Sequence, residues 1–392
     1  MISRNLRHFR VFLAVVDLAA PGLAAARCGV SQPAVTQALA KLDAECGGPL
    51  FERSRAGFFP TARGNILALR LRRGMEGLDR ALAAAAPRLV VTATAAQLQA
   101  LVAMVEEQNF TLAARRLGRA QPTVHRAVTQ LEREVARPLF ERTPFGVVAT
   151  RICREIAGAA RLAFSEFEQA EADLADLEGR EHGRIVVGSL PLSRSVLLPE
   201  AIARFRAERR RHCVTVVDGP YDEMLHGLRR GEIDLILGAL RDPLPIDDVA
   251  QEPLFDDGLL IVARPGHPLL AQGGITLERL VSHAWAVPRP GTPSRDQFDA
   301  QFTGRGLPLP ESIVECGSIL LMRELLGRSD LLGCISARQA EAEIARGLLA
   351  RVEAGVSWPA RPIGLTTRRG WQPTRAQALL LDHLRDVAAG MP

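Results

Sequence analysis

At 392 residues, with 47% hydrophobic and 24% charged residues, the chain is long enough for two or three globular domains. No apolar run approaches the ~18 residues of a membrane span, and Arg4, Arg7, His8 and Arg10 interrupt what would have to be the apolar core of a signal peptide. We therefore expect a cytoplasmic protein that neither crosses a membrane nor is secreted. The first 150 residues hold 20 Lys and Arg against 11 Asp and Glu, and the remainder 29 against 33. A basic front on a nearly neutral body points to a polyanion partner. The six cysteines form no Cys-x-x-Cys pair and have no histidine at zinc-ligand spacing, so they read as buried apolar residues, with no metal site and no cofactor.

In chain order, Phe9, Phe12, Leu13 and Val16 recur at helical spacing. A short helix from Leu23 to Cys28 follows and is closed by Gly29, a residue able to adopt the left-handed conformation that ends a helix. Ser31 then stands as N-cap before Gln32-Pro33, which opens a third helix running to about Glu45. Pro49-Leu50-Phe51-Glu52-Arg53 and Gly57 predict a short hairpin, and a helix from about Ala62 to Ala86 follows, interrupted by Gly74 and Gly77 and stopped by Pro87. All of this then recurs. At a constant offset of 89, 18 of the 39 positions from Leu23 to Thr61 are identical in Leu112 to Thr150. The second copy has Leu98, Leu101, Val102 and Val105 in its first helix, Gly118 at the turn, and Pro138-Leu139-Phe140-Glu141-Arg142 with Gly146 in its hairpin. The chain contains an internal duplication.

Two helices joined by a glycine-bearing turn, followed by a hairpin, form a winged helix-turn-helix. Ser31-Gln32-Pro33-Ala34-Val35-Thr36-Gln37 with Pro49-Leu50-Phe51-Glu52-Arg53 resembles the N-terminal domain of the LysR-type transcriptional regulators. The first turn of such a recognition helix faces base edges while surrounding arginines hold phosphates. The DNA-binding residues expected are Ser31, Gln32, Pro33, Thr36, Gln37 and Arg53 in copy one, and Gln121, Pro122, His125, Arg126 and Arg142 in copy two. The copies depart from the pattern at different places: Ala20 precedes the second helix of copy one, and Ala120 replaces Ser31 in copy two.

From Arg151 to about Glu178 the apolar residues alternate steps of four and three, the signature of a helix–helix seam. In the resembled family this helix links the domains and pairs two subunits. That implies a homodimer or homotetramer held through Ile156, Ala163, Phe167, Leu174 and Leu177. Beyond Gly183 strands and helices alternate, beginning with Arg184 to Gly188. Leu197-Leu198-Pro199, Gly231-Glu232-Ile233-Asp234-Leu235 and Gly266-His267-Pro268-Leu269 resemble the effector-binding domain of the same family, similar in fold to periplasmic solute-binding proteins. The expected architecture is α/β and multidomain: tandem winged helix-turn-helix domains (1–88 and 89–150), a linker helix (151–180) and a two-lobed domain (181–392). Lobe I would comprise 181–265 and 345–392, and lobe II 266–344.

A small anionic or polar effector is expected where strand carboxyl ends and helix N-termini converge between the lobes, at Ser189, Pro191, Leu192, Ala239, Arg241, Gly291, Thr292 and Ser318. The leading reading is a ligand-responsive regulator of transcription that binds double-stranded DNA and catalyses nothing. A solute-binding or sensor protein with partly structural heads is the alternative. No nucleophile elbow, phosphate-cradling loop or carboxylate cluster favours an enzyme.

Overall fold

The repeat folds twice into the same succession of elements. Copy one comprises α1 (Leu6–Leu18), α2 (Pro21–Cys28), α3 (Gln32–Glu45), the hairpin β1 (Phe51–Ser54) and β2 (Gly57–Pro60), and α4 (Ala62–Ala85). A single turn, α5 (Leu89–Thr92), leads to copy two: α6 (Ala95–Glu107), α7 (Phe110–Leu117), α8 (Gln121–Val135), β3 (Phe140–Thr143), β4 (Gly146–Ala149) and α9 (Arg151–Leu177). The computed structural model describes residues 2–55, 57–144, 146–195, 197–244 and 246–391, except the side chains of Leu192 and Arg194. The chain divides into two units, Met1–Gly183 and Arg184–Pro392.

The same physical devices set both copies. Gly29 and Gly118 end their helices at φ 63° and 60°, where a side chain would strain the backbone. Thr61 and Thr150 cap the long helices, accepting from the amides of Gly64 and Cys153. Asp43 and Glu132 accept from the amides of Leu50 and Leu139, tying each third helix to its wing. An ion cluster also recurs residue for residue. Asp17 of α1 pairs with Arg27 of α2 and Arg72 of α4, and its counterpart Glu106 of α6 pairs with Arg116 of α7 and Arg161 of α9. Each head is therefore docked on its own long helix by the same contacts.

The long helices correct two expectations. First, α4 is continuous through Gly74 and Gly77. A Cβ on Gly74 would lie 2.9 Å from Phe167 Cε1 and 3.2 Å from Ala163 Cα, so this glycine is where α9 comes closest to α4 rather than a break. Second, the seam on α9 is closed within the chain. Ile156, Ala163, Phe167 and Leu174 are buried in one core with Leu67, Leu71, Leu78 and Leu82 of α4, and Phe9 of α1 stacks edge-on against Phe167 at 4.9 Å. A heptad pattern specifies a partner helix but not which chain supplies it, and here the duplication supplies it. Leu177, the fifth expected seam residue, is 37% exposed. The first head, both long helices and the base of the second head (Leu98, Leu101, Leu131, Val135 and Leu139) thus share one apolar core, while Ala100, Ala103, Met104, Ala113, Ala114, Val124 and Val128 form a second cluster inside copy two.

The second unit has two sheets. Its chain order is β5 (Arg184–Ser189), a 3-10 turn (Pro191–Arg194), α10 (Leu197–Glu208), β6 (Cys213–Val217), α11 (Tyr221–Arg229), β7 (Leu235–Ala239), β8 (Val249–Asp257) and β9 (Leu259–Ala263). Then follow α12 (Leu277–Leu280), β10 (Trp285–Val287), α13 (Pro293–Thr303), β11 (Ile313–Glu315), α14 (Ile319–Gly327), β12 (Leu332–Ser336), α15 (Ala337–Ala345), β13 (Ala350–Arg351), β14 (Arg361–Arg368) and α16 (Arg375–Ala389). Lobe I is the sheet β6-β5-β7-β14-β8, and lobe II is β11-β10-β12-β9-β13. The crossovers differ from the expected lobe boundaries, because β9 pairs antiparallel with β12, and β13 pairs with β9. Leu259–Ala263 is an apolar run that suits either sheet, and only its distant partner assigns it to lobe II.

Candidate functional site

In α3 the residues Val35, Ala38, Leu39 and Leu42 are buried, which leaves Gln32, Pro33, Thr36 and Gln37 exposed on the opposite face with Ser31 at its start. In α8 the buried set Val124, Val128, Leu131 and Val135 likewise exposes Gln121, Pro122, His125 and Arg126. The expected residues of each head thus share one exposed face around a helix N-terminus, where the partial positive charge of free amides attracts phosphate. Ser31 caps α3 by accepting from Ala34, whereas Ala120 provides no cap. At the second helices the roles reverse: Asn109 accepts from Thr111 and Leu112, and Ala20 provides none.

The wings differ too. Arg53 is exposed and its guanidinium lies over the Phe58 ring at 5.0 Å, while Arg142 is exposed opposite Val147, which offers no ring. His125 packs against the ring of Phe110 at 5.1 Å, and its Nδ1 lies 3.4 Å from the Thr129 hydroxyl.

The second unit holds a cavity of about 840 Å³ between its lobes. Six of the residues expected there line it: Pro191, Ala239, Arg241, Gly291, Thr292 and Ser318. Thr292 and Ser318 cap α13 and α14, so both helix N-termini open on the cavity. Arg241 is laid over the Tyr221 ring at 4.5 Å, and the Gln251 carboxamide bridges the backbone of Arg241 at 3.0 and 3.1 Å. Ser189 is a correction. It is fully buried and shares a 2.9 Å hydrogen bond with the Ser193 hydroxyl, so it serves the loop after β5. The side chain of Leu192 lies outside the described residues.

Sequence reasoning missed Arg361, the first residue of β14. It lines the cavity, is only 8% exposed, and its Nε has no hydrogen-bond partner. Burial pulls its pKa below the usual arginine value, opposed by Asp257 on the neighbouring strand and reinforced by the like charge of Arg241. Asp257 is itself buried, and desolvation raises its carboxyl above the usual range. A guanidinium this desolvated is costly unless something negative completes it. Gln339 of lobe II donates to the carbonyl of Pro191 in lobe I at 2.8 Å, a direct polar link across the cavity wall. Among the described residues no cluster of His, Cys, Asp or Glu could hold a metal, and no helix is long and apolar enough to cross a membrane.

Paired helix-turn-helix heads followed by a two-lobed domain with a ligand-sized cavity define an effector-controlled, sequence-specific DNA-binding regulator of transcription. Residues 6–65 and again 95–154 match the family described as bacterial regulatory helix-turn-helix protein, lysR family, and residues 178–389 match the LysR substrate binding domain. The chain belongs to the LysR family.

It is 36% identical to the HTH-type transcriptional regulator GalR of Pseudomonas putida over 98% of this chain and 97% of that one, so that relative is long enough for two heads. A full-length OxyR variant from Pseudomonas aeruginosa shares the fold at 24% identity and TM-score 0.55, covering 74% of this chain and 94% of its own. LysG from Corynebacterium glutamicum, solved with the bound effector Arg, does so at 21% and 0.54, covering 76% and 98%. Both structures are nearly used up while about a quarter of the present chain stays unmatched, as expected when one copy of the repeat has no counterpart.

Proposed function

We propose that this regulator acts in the cytoplasm without catalysis, reading DNA through Gln32, Pro33, Thr36 and Gln37 in one head and Gln121, Pro122, His125 and Arg126 in the other. Ser31, Arg53 and Arg142 hold backbone phosphates. Arg126 pairs bidentately with guanine, which makes copy two the more discriminating reader. The effector is a small anion, such as a carboxylate, held by Arg361 and Arg241 and by the N-termini of α13 and α14.

The observation that carries the effector class is the buried, unpartnered Nε of Arg361 inside the cavity. Binding there favours one arrangement of the lobes and changes DNA affinity through its preference for that arrangement. Homodimers or homotetramers form through surfaces other than the closed seam.

Screening small carboxylic acids by calorimetry against the wild type and Arg361→Gln tests the effector class. Loss of binding in the variant supports it, and equal binding by both refutes it. DNA affinity that falls steeply with salt, as counterion release requires, tests the heads.

A further inference from the structure

The seam between α4 and α9 is antiparallel. Arg63 near the start of α4 pairs with Glu178 just past the end of α9 at 2.7 Å, Arg70 pairs with Asp173 at 2.8 Å, and Gly74 lies against Phe167. Gly74 and Ala163 occupy the same place in the two copies, 89 residues apart, and they are packed against each other. Equivalent residues of two antiparallel helices meet only on a two-fold axis. Each head is docked on its long helix by the same arginine–carboxylate–arginine cluster. The axis therefore relates the heads as well as the helices. Rotation about an axis preserves position along it, so both recognition helices reach the same level on the same side of the module. A palindromic duplex has a two-fold axis of its own and accepts that arrangement.

The seam also selects unlike helices. Arg70 is 2% exposed and bonded to Gln169 at 2.7 Å, Glu166 at 3.3 Å and Asp173. Its counterpart in α9 is Ala159, and the counterparts of Glu166, Gln169 and Asp173 in α4 are Gly77, Arg80 and Ala84. Two α9 helices would leave the acids facing alanine, and two α4 helices would leave Arg70 facing glycine, alanine and another arginine. Both like pairings are penalised by uncompensated charge. Only a few residues separate α4 from α5, and Leu89 and Ala93 are buried in the shared core, which ties the second copy to the end of the first.

We propose that one chain is a complete two-site DNA reader, in which an intramolecular two-fold does the work of a dimer and sets two unlike recognition helices on two inverted, unequal half-sites. Gln32 and Pro33 recur as Gln121 and Pro122, so the half-sites share a base pattern. Thr36 and Gln37 become His125 and Arg126, so they differ beyond it. The proposal rests on the DNA-reading role of the heads.

Two experiments on the full chain test it. In a Cys213→Ser background, Arg63→Cys and Glu178→Cys are joined with a short bismaleimide and run on a denaturing gel. Single-chain mass is expected, and double mass would overturn the proposal. For the second, one variant carries Gln32→Ala and Gln37→Ala, the other Gln121→Ala and Arg126→Ala. Each is expected to lose at least about tenfold in affinity for a selected duplex trimmed to one pair of half-sites. Mixing the two should recover nothing, because no chain then has both heads, and recovery of wild-type affinity would overturn the one-chain arrangement. If the wild type retains no duplex at any salt concentration, the DNA-reading role itself fails and the proposal with it. The crosslink is independent of DNA and separates the two failures.

Discussion

Copy one caps its third helix with Ser31 and leaves its second uncapped at Ala20; copy two caps its second helix with Asn109 and leaves its third uncapped at Ala120. Inside, the copies agree closely. The Asp43 and Glu132 tethers, the Thr61 and Thr150 caps and the Asp17 and Glu106 clusters coincide. They diverge at the reading face and at the seam, where Arg70, Gly74 and Leu78 stand opposite their counterparts Ala159, Ala163 and Phe167 in sequence. Interior differences such as Leu39 against Val128 and Cys46 against Val135 exchange one apolar residue for another, so copy two keeps a packed core.

That comparison fails most visibly if the heads are independent, so the largest effect is expected at the seam. Arg70→Ala removes the buried cation that binds Gln169, Asp173 and Glu166, the last of which also pairs with Arg73, and should cost about 3 kcal/mol in denaturant unfolding. Heads coupled through the core beneath them should lose structure together, whereas independent heads would confine the loss to copy one. Gly74→Leu is next. The added side chain must displace Phe167 and the backbone of Ala163, for an expected cost of about 1–3 kcal/mol, again read by unfolding of both copies.

The caps give a smaller effect of opposite sign in the two heads. Ala120 has φ −70° and ψ 139°, close to the −74° and 152° of Ser31, so a serine there finds the capping geometry already formed. Ala120→Ser should raise stability by about 1 kcal/mol and Ser31→Ala should lower it by about as much. Equal destabilisation by both would mean that the heads are not equivalent at this turn.

The smallest effect is in thiol labelling. Each copy has one deeply buried cysteine, Cys46 and Cys153, and burial pushes both thiols up to about 12. Near neutral pH neither should react before unfolding, while Cys213, exposed at the start of β6, should react at once. The exposure of Cys213 corrects the expectation that every cysteine is buried.

The repeat makes the heads readable, because glycines, caps and the Pro-Leu-Phe-Glu-Arg segments mark the same boundaries twice. The α4 helix misleads for a local reason. Glycine costs about 1 kcal/mol in a helix, and only the distant Phe167 shows what Gly74 accommodates. Three strands escape a reading of the sequence: β8 carries Pro253 and a register shift opposite Ile363 and Gly364, β12 is the five-residue LGCIS whose partners lie in distant segments, and β13 is only two residues long. In the cleft, the rule that ligands sit beyond strand carboxyl ends locates Arg241, Thr292 and Ser318. It does not distinguish Ser189, turned inward to Ser193, and it overlooks Arg361, which reaches the cavity from the start of a strand.

The central claim is that two unlike heads on one chain read two unlike half-sites. The most direct measurement is selection and sequencing of duplex DNA bound by the full chain, by Arg126→Ala and by Gln37→Ala. The account predicts two inverted half-sites about 34 Å apart, unequal in sequence, with Arg126→Ala relaxing base preference in one and Gln37→Ala in the other. Identical half-sites, or either substitution relaxing both of them equally, would contradict it.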